Sequence, residues 1–330
     1  MRDLDGDVLL DPGVFGEIHA AEAAAAQMRQ YAVLPDGLTP EKHVGVCAEY
    51  TAPLCSALRH ERARRATSRL QSGVQHGDNG VVRARFFAPD AHAIGSIVAL
   101  PDDEAAHLTR VLRLRRGDAV IVFNGRGQAF EATVEIARKD SAQVLLVATH
   151  EPAPEPSVAI TLVQAVLKGD KMDDVVRDAA MIGVAAIQPV VATRSEVTLA
   201  SVVRGGRRER WERIAVSSSK QCGRAVVPAL LEPEPFDAVV SLIDERRLPV
   251  PALLLVEPRA GAAVVSLGEI EGGRPREASL LIGPEGGWTM EEIGSASERC
   301  QLVTLGGRTI RSDAMALVAV AALFARWNEY

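Results

Sequence analysis

Two glycine-rich stretches near the end of the sequence carry residue types suited to holding a ligand. In the first, the apolar run Leu280-Leu281-Ile282 meets a stiff proline, a carboxylate and three glycines, Gly283-Pro284-Glu285-Gly286-Gly287. Thr289 and Glu292 follow at capping-box spacing, which predicts a strand, a loop and then a helix. In the second, Leu302-Val303-Thr304-Leu305 meets Gly306-Gly307 and continues through Arg308, Ile310 and Arg311. An apolar helix begins there, and Ser312 is placed to N-cap it. Glycines at such junctions permit a positive φ and let a ligand lie against the backbone. A lone glycine loop is usually a tight turn. Two of them, with Glu257-Pro258 closing a third apolar run, point to a pocket at the carboxyl ends of parallel strands. Neither loop is a P-loop, because no Lys-Ser/Thr pair follows the last glycine, and neither has the G-x-G-x-x-G spacing.

A second kind of chemistry is written in the arginines. Between residues 194 and 224 stand Arg194, Arg204, Arg207, Arg208, Arg210, Arg213, Lys220 and Arg224, opposed only by Glu196, Glu209 and Glu212. Arg110, Arg113, Arg115 and Arg116 form a shorter run. A charge run is commonly a solvated helix face, and Glu209 can pair with Arg213 one turn on. Yet the whole chain carries a formal charge of −6, so two basic concentrations on it favour a polyanionic partner. Trp211 and Ile214 read as core within the first of them.

The elements that must position these residues fall into three regions. Residues 1–80 include an alanine-rich stretch, a basic polar run and a linker-like QSGVQHGDNG, and read as a disordered extension or as sequence upstream of a start near Val81. Residues 81–150 read as short strands joined by turns such as Asn124-Gly125-Arg126-Gly127, with one helix opened by Pro101 and its following acids. That is a small barrel. EPAPEP at 151–156 is a stiff linker. From there to residue 330, apolar strands alternate with helices expected to start near Asp170, Arg204, Gly261, Met290 and Asp313. This is an α/β pattern with a parallel sheet covered on both faces. The four cysteines show no zinc-like spacing, no metal is expected, and a reducing cytoplasm is the expected compartment. The longest apolar run, from Ala314 to Ala325, is too short to span a bilayer, so no membrane is expected.

Four segments taken together resemble the RsmE family of 16S ribosomal RNA (uracil-N3)-methyltransferases, of the SPOUT class. They are GPEGG at 283–287, LGGRTIRSDA at 305–314, LKGDKMDDVV at 167–176 and KQCGRAVVP at 220–228, and the likeness runs in order from about residue 83 to 330. It implies a PUA-like barrel followed by a SPOUT-type α/β domain with a C-terminal trefoil knot. It also implies S-adenosyl-L-methionine as cofactor, a homodimer, and 16S RNA or the small-subunit particle as partner. Cofactor contacts would then fall on Glu257, Gly283, Pro284, Glu285, Gly286, Leu305, Gly306, Arg308, Ile310 and Ser312. Methylating N3 of uracil needs the imide proton removed and charge on the ring oxygens stabilised. Arg311 suits the second task, since its fork of donors stays cationic, and Asp313 is a candidate for the first. Arg311 and Glu285 have structural alternatives, Arg311 pairing with Asp313 or Glu285 and Glu285 tying its own loop, and water is the alternative to Asp313 as proton acceptor. The chain departs from the family pattern at Ala314, where a hydroxyl is usual, at Met181, where a Glu is usual, and at Ala192–Ser195. A SPOUT enzyme acting on another RNA position, such as a ribose 2′-oxygen, or a non-catalytic RNA-binding assembly factor are the competing readings.

Overall fold

The computed structural model describes residues 83–139, 141–258 and 264–329. The expectations for residues 1–80 lie outside them. The N-terminal part of the described chain is a five-stranded sheet in the order β1-β3-β4-β5-β2. Its strands are β1 (Arg85–Phe87), β2 (Ile97–Ala99), β3 (Ala119–Phe123), β4 (Ala129–Arg138) and β5 (Ser141–His150). Alternation does the work here: Val120 and Val122, then Ala132 and Val134, then Val144 and Leu146, all point into one core. Phe86 of β1 and Val98 of β2 join that same core, so the two edge strands close around it. Between β2 and β3 lie α1 (Asp102–Ala106) and a π-type turn (His107–Val111). Acids fill the first turn of α1, where the helix dipole favours them.

The C-terminal part is a parallel sheet in the order β11-β13-β10-β12-β6-β7-β8, with β9 also pairing β7. Its central strands are β6 (Ala159–Ala165), β7 (Ala186–Val191), β10 (Ala252–Leu255), β12 (Glu277–Ile282) and β13 (Gln301–Thr304). Shorter ones are β8 (Ala229–Leu230), β9 (Glu234–Pro235) and β11 (Val265–Ser266). Along β10, Leu253 and Leu255 face one core while Ala252 and Leu254 face another. Along β12, Leu280 and Ile282 face the first and Leu281 the second. The sheet is therefore buried on both faces, which explains runs of apolar residues with no polar alternation. Helices α2 (Lys171–Ile182), α4 (Arg207–Cys222) and α7 (Ser312–Arg326) cover the first face. Helices α5 (Phe236–Asp244) and α6 (Met290–Ala296) cover the second.

Local details differ from expectation in three places. The basic helix is two, α3 (Leu199–Arg204) and α4, because Gly206 takes a left-handed φ of 58° between them. The helix expected near Gly261 is not formed by the described residues. Val265–Ser266 makes a short strand and Leu267–Glu269 a single 3₁₀ turn. Ser312 is the first residue of α7 and not its cap; Arg311 holds the N-cap position without a side-chain hydrogen bond. Among the described residues no helix is long and apolar enough to cross a membrane.

Candidate active site

Three strands adjacent in the sheet, β13, β10 and β12, send their C-terminal loops to one place. The loops are Val256–Pro258, Gly283–Gly287 and Leu305–Ile310, and they enclose a cavity of about 310 Å³. That volume sits at the lower end of the range of small-molecule sites, roughly 300–1,000 Å³. Leu255, Ile282, Leu305, Ile310 and Met315 give it apolar walls, while Glu257, Glu285, Arg194 and Arg308 bring charge to it.

The glycine-rich loop is held from several sides. Trp288 is buried, packs against Phe236 with ring centroids 4.9 Å apart and planes inclined at 47°, and donates its Nε1 to the Leu255 carbonyl at 3.0 Å. A Cβ on Gly283 would lie 3.2 Å from that indole, so a side chain there would press on the Trp288 ring. Gly287 has a φ of 67° and turns the chain into α6. Thr289 and Glu292 form the expected capping box: the Glu292 N–H donates to Thr289 Oγ1 at 3.2 Å, and the Thr289 N–H to Glu292 Oε2 at 2.8 Å. The other oxygen of Glu292 accepts the Thr193 N–H at 2.7 Å, tying the loop after β7 to the same point. Glu285 accepts from Lys171 Nζ at 2.8 Å, and Lys168 pairs with Glu196 at 2.6 Å. Glu285 is thus a link between the loop and the start of α2.

Of the residues expected to meet a cofactor, Glu257, Gly283, Pro284, Glu285, Leu305, Arg308, Ile310 and Ser312 line the cavity. Gly286 and Gly306 do not. The space beside Gly286 is filled by protein, since a Cβ there would meet Arg194 Cβ at 3.0 Å. Arg311 and Asp313 lie outside the lining and pair with each other at 2.7 Å. Both Asp313 oxygens are engaged, Oδ2 by Arg311 and Oδ1 by the Ala314 N–H at 3.1 Å. Arg311 keeps 75% of its side chain exposed, leaving the rest of its fork open to a large substrate. Trp288, Thr304, Thr309 and Met315 also line the cavity. Reading each loop as a backbone surface passed over these side chains.

The arginines sort differently from their sequence grouping. Arg194 is a cavity residue whose Nη1 donates to the Gly286 and Trp288 carbonyls at 3.0 and 3.2 Å. Arg204 is exposed at the end of α3, and Arg207 is half-buried at the start of α4. Arg208 donates to the Leu230 carbonyl and pairs with Glu212 and Glu232. Trp211 is buried, as expected, and donates to Asp173 at 3.1 Å.

Arg224 corrects an expectation outright: it is buried and cannot reach a nucleic acid on this surface. Its Nε donates to both oxygens of Glu155 at 3.0 and 2.9 Å, and its fork also reaches the Ala180 and Val184 carbonyls. The surrounding segment joins the two sheets. Arg85 donates to the Arg224 carbonyl, Val226 bridges Gly125, and Lys220 meets Glu104 at 2.7 Å above the Phe86 ring. Arg224→Ala would leave the buried Ala180 and Val184 carbonyls without their donor, so it should destabilise the fold by about 1–3 kcal/mol. Denaturant melts check this, with Arg224→Lys recovering little because it lacks the fork.

The comparisons with known proteins agree with this geometry. Residues 154–324 match the family described as "RNA methyltransferase domain", and residues 100–147 match "RNA methyltransferase PUA domain". The protein named ribosomal RNA small subunit methyltransferase E from Synechocystis is 29% identical over 243 residues, covering 73% of this chain and 77% of that one. Its namesake from Bacillus subtilis is 26% identical over 228 residues, 68% of this chain and 88% of that one. Among solved structures, the Neisseria gonorrhoeae ribosomal RNA small subunit methyltransferase E bound to S-adenosyl methionine is 32% identical with a TM-score of 0.65, covering 74% of this chain and 98% of its own. A putative methyltransferase from Legionella pneumophila, also with bound cofactor, superposes with a TM-score of 0.67 at 28% identity over 74% of this chain and 98% of that one. A PUA domain followed by an all-parallel α/β domain, with matches over most of both chains, places this protein in the RsmE family of S-adenosylmethionine-dependent ribosomal RNA methyltransferases.

Proposed function

We propose that this protein methylates N3 of a uridine in 16S ribosomal RNA, binding S-adenosylmethionine in the cavity formed by the three loops. The observation that carries the reading is the convergence of those loops at adjacent strand ends around a small, mostly apolar cavity with charged groups among its lining residues. The cavity fits the cofactor's chemistry. Leu255, Ile282, Leu305 and Ile310 suit a flat purine, backbone groups of the glycine loop suit its edges, and Glu257 suits a cationic end. When bound, the cofactor supplies an electrophilic methyl group on its sulfonium.

The chain's own residues then have three tasks. Pro284 and the ties from Trp288, Glu292 and Arg194 hold the loop before a ligand arrives, which lowers the ordering cost of binding. Arg311, exposed beside the cavity loop, donates to a uracil carbonyl oxygen and stabilises the charge that develops as N3 loses its proton. Asp313 aims Arg311. With both its oxygens occupied it is a positioning residue, and the proton leaves to water.

Two features of the assembly belong to the same proposal. Helix α7 buries Ala316, Ala319, Val320, Leu323 and Phe324 in its own domain, yet leaves Leu317 and Val318 about 40% exposed. Those two residues supply the apolar contact of a homodimer. The order β11-β13-β10, in which a late strand lies between two earlier ones, suits a trefoil knot in the C-terminal part. The RNA grip consists of Arg110, Arg113, Arg115 and Arg116 with Arg204 and Arg207, and the partner is the 16S RNA or the small-subunit particle in the cytoplasm.

Glu285 sets a pH dependence. Partial burial pushes its carboxyl up, but hydrogen bonds from Lys171 and from backbone N–H groups outweigh that and hold it below the ordinary glutamate value. A lowered folded value means the tie is fully present above the usual value of about 4.3 and is lost as pH falls through the lower one. Affinity for S-adenosylhomocysteine should stay level on acidification to about pH 5 and fall only below the usual glutamate range. Calorimetry across that interval checks it, and a decline already complete above that range would count against the tie.

The function itself is tested by incubating the protein with methyl-labelled cofactor and unmodified small subunits, then digesting the RNA to nucleosides. Label in 3-methyluridine is the expected result. Label on a ribose would move the reaction to a 2′-oxygen, and no label would leave an RNA-binding factor.

A further inference from the structure

One end of the N-terminal sheet domain carries an unusual tip. After the buried Leu108, the π-type turn closes with the Leu112 N–H donating to the His107 carbonyl at 3.0 Å. Arg113 then adopts a left-handed φ of 56°, a conformation uncommon for residues with a Cβ. Leu114 returns to pack on the core. The result is that Val111 and Leu112 are pushed outward, 65% and 41% exposed. π-type turns are rare and concentrate at functional sites.

Cations from two parts of the chain come together near the tip. Arg110, Arg113, Arg115 and Arg116 come from the turn itself, and exposed Arg138 and Lys139 come from the β4–β5 hairpin. The hairpin is held against the turn by Arg110 Nε, which donates to the Lys139 carbonyl at 3.3 Å, while the Thr109 hydroxyl donates back to the Ala105 carbonyl at 2.8 Å. Two acids contact this segment: Asp118 accepts the Arg115 N–H, and Glu135 pairs with Arg116 at 3.3 Å. In sequence Arg138 and Lys139 read only as part of a turn, because they sit about 25 residues from the other arginines and only the hairpin brings them back.

We propose that Val111 and Leu112 form an apolar wedge that packs against unpaired nucleobases of the RNA, while the nearby cations hold its phosphates. This rests on the reading of the protein as an RNA methyltransferase and adds which form of RNA the barrel selects. Charge complementarity chooses the partner: an apolar pair beside a basic cluster suits a polyanion that exposes apolar faces. Single-stranded RNA does so, since its bases splay out, whereas a paired helix hides them within the stack. The wedge would favour a loop or an opened strand over a continuous duplex.

The test compares a hairpin RNA bearing a single-stranded loop with a fully paired duplex, using fluorescence anisotropy over a range of salt. The double variant Val111→Ser, Leu112→Ser should weaken loop binding by at least roughly tenfold, the loss expected when an aliphatic side chain is no longer buried. Its salt slope should match wild type because no charge has changed, and duplex binding should be unaffected. Arg113→Glu with Arg115→Glu should weaken both RNAs and flatten the slope. Unchanged loop affinity in the serine variant, with the arginine variant still impaired, overturns the wedge and leaves the basic grip standing. No loss in either variant removes the whole end of the barrel from RNA binding. An altered mass by light scattering in the serine variant, with RNA affinity intact, would make the tip a protein contact and also overturn the wedge. Melting temperature and S-adenosylhomocysteine affinity serve as controls for folding.

Discussion

Gly286→Val should lower the affinity for S-adenosylhomocysteine roughly ten- to a hundredfold, the cost of forcing a side chain into a packed site. The protein should stay folded. Gly286 does not line the cavity, and the space a side chain would need belongs to Arg194, whose Cβ would be 3.0 Å away. The same arginine donates to the carbonyls of Gly286 and Trp288, so displacing it loosens the loop from the β7 side. Arg194→Ala should reproduce part of the loss, since the two substitutions break one contact from opposite ends. Calorimetry beside a thermal melt separates this from unfolding. Wild-type affinity in a folded Gly286→Val protein would remove the loop from the cofactor site.

The glycine loops were legible because their signals are local. An apolar run, a glycine cluster and a cap at fixed spacing predict strand, loop and helix without any knowledge of the rest, and Thr289 with Glu292 behaves as that spacing requires. The five central strands of the parallel sheet were legible for a similar reason, since burial on both faces leaves continuous apolar runs. What failed depended on distant partners. Arg224 reads as one more cation in a basic segment, and only the fold brings Glu155, 69 residues away, into contact with it. Arg194 shares that segment but belongs to the cavity because β7 ends beside β12's loop. Helix α5 was missed altogether. Its nine residues, Phe236–Asp244, lie between prolines and short connections, and its apolar face is too brief to stand out in sequence. Ser312 has the right residue type for a cap, yet the chain enters α7 one residue earlier.

Arg311→Ala should reduce the rate of methyl transfer about a hundred- to a thousandfold, as removal of one well-placed charge stabiliser commonly does. Affinity for RNA and for S-adenosylhomocysteine should change far less, because the interaction strengthens only as charge develops on the base. The structure gives Arg311 the freedom this requires, with three quarters of its side chain exposed and, among the described residues, one carboxylate partner at 2.7 Å. Arg311→Lys should rescue poorly, since an ammonium cannot reproduce the planar fork. Asp313→Asn should give a smaller loss, by letting Arg311 wander while leaving it charged. Single-turnover rates measured with both binding constants distinguish the roles, and equal losses in all three would make Arg311 a structural tie of its loop.

The central claim is that the cavity between the ends of β10, β12 and β13 holds the cofactor. A crystal structure with S-adenosylhomocysteine tests it most directly. The expected density lies among Glu257, Gly283, Leu305 and Ile310, with the thioether sulfur on the side open to Arg311. Density bound anywhere else on the chain, with this cavity empty, would contradict the assignment.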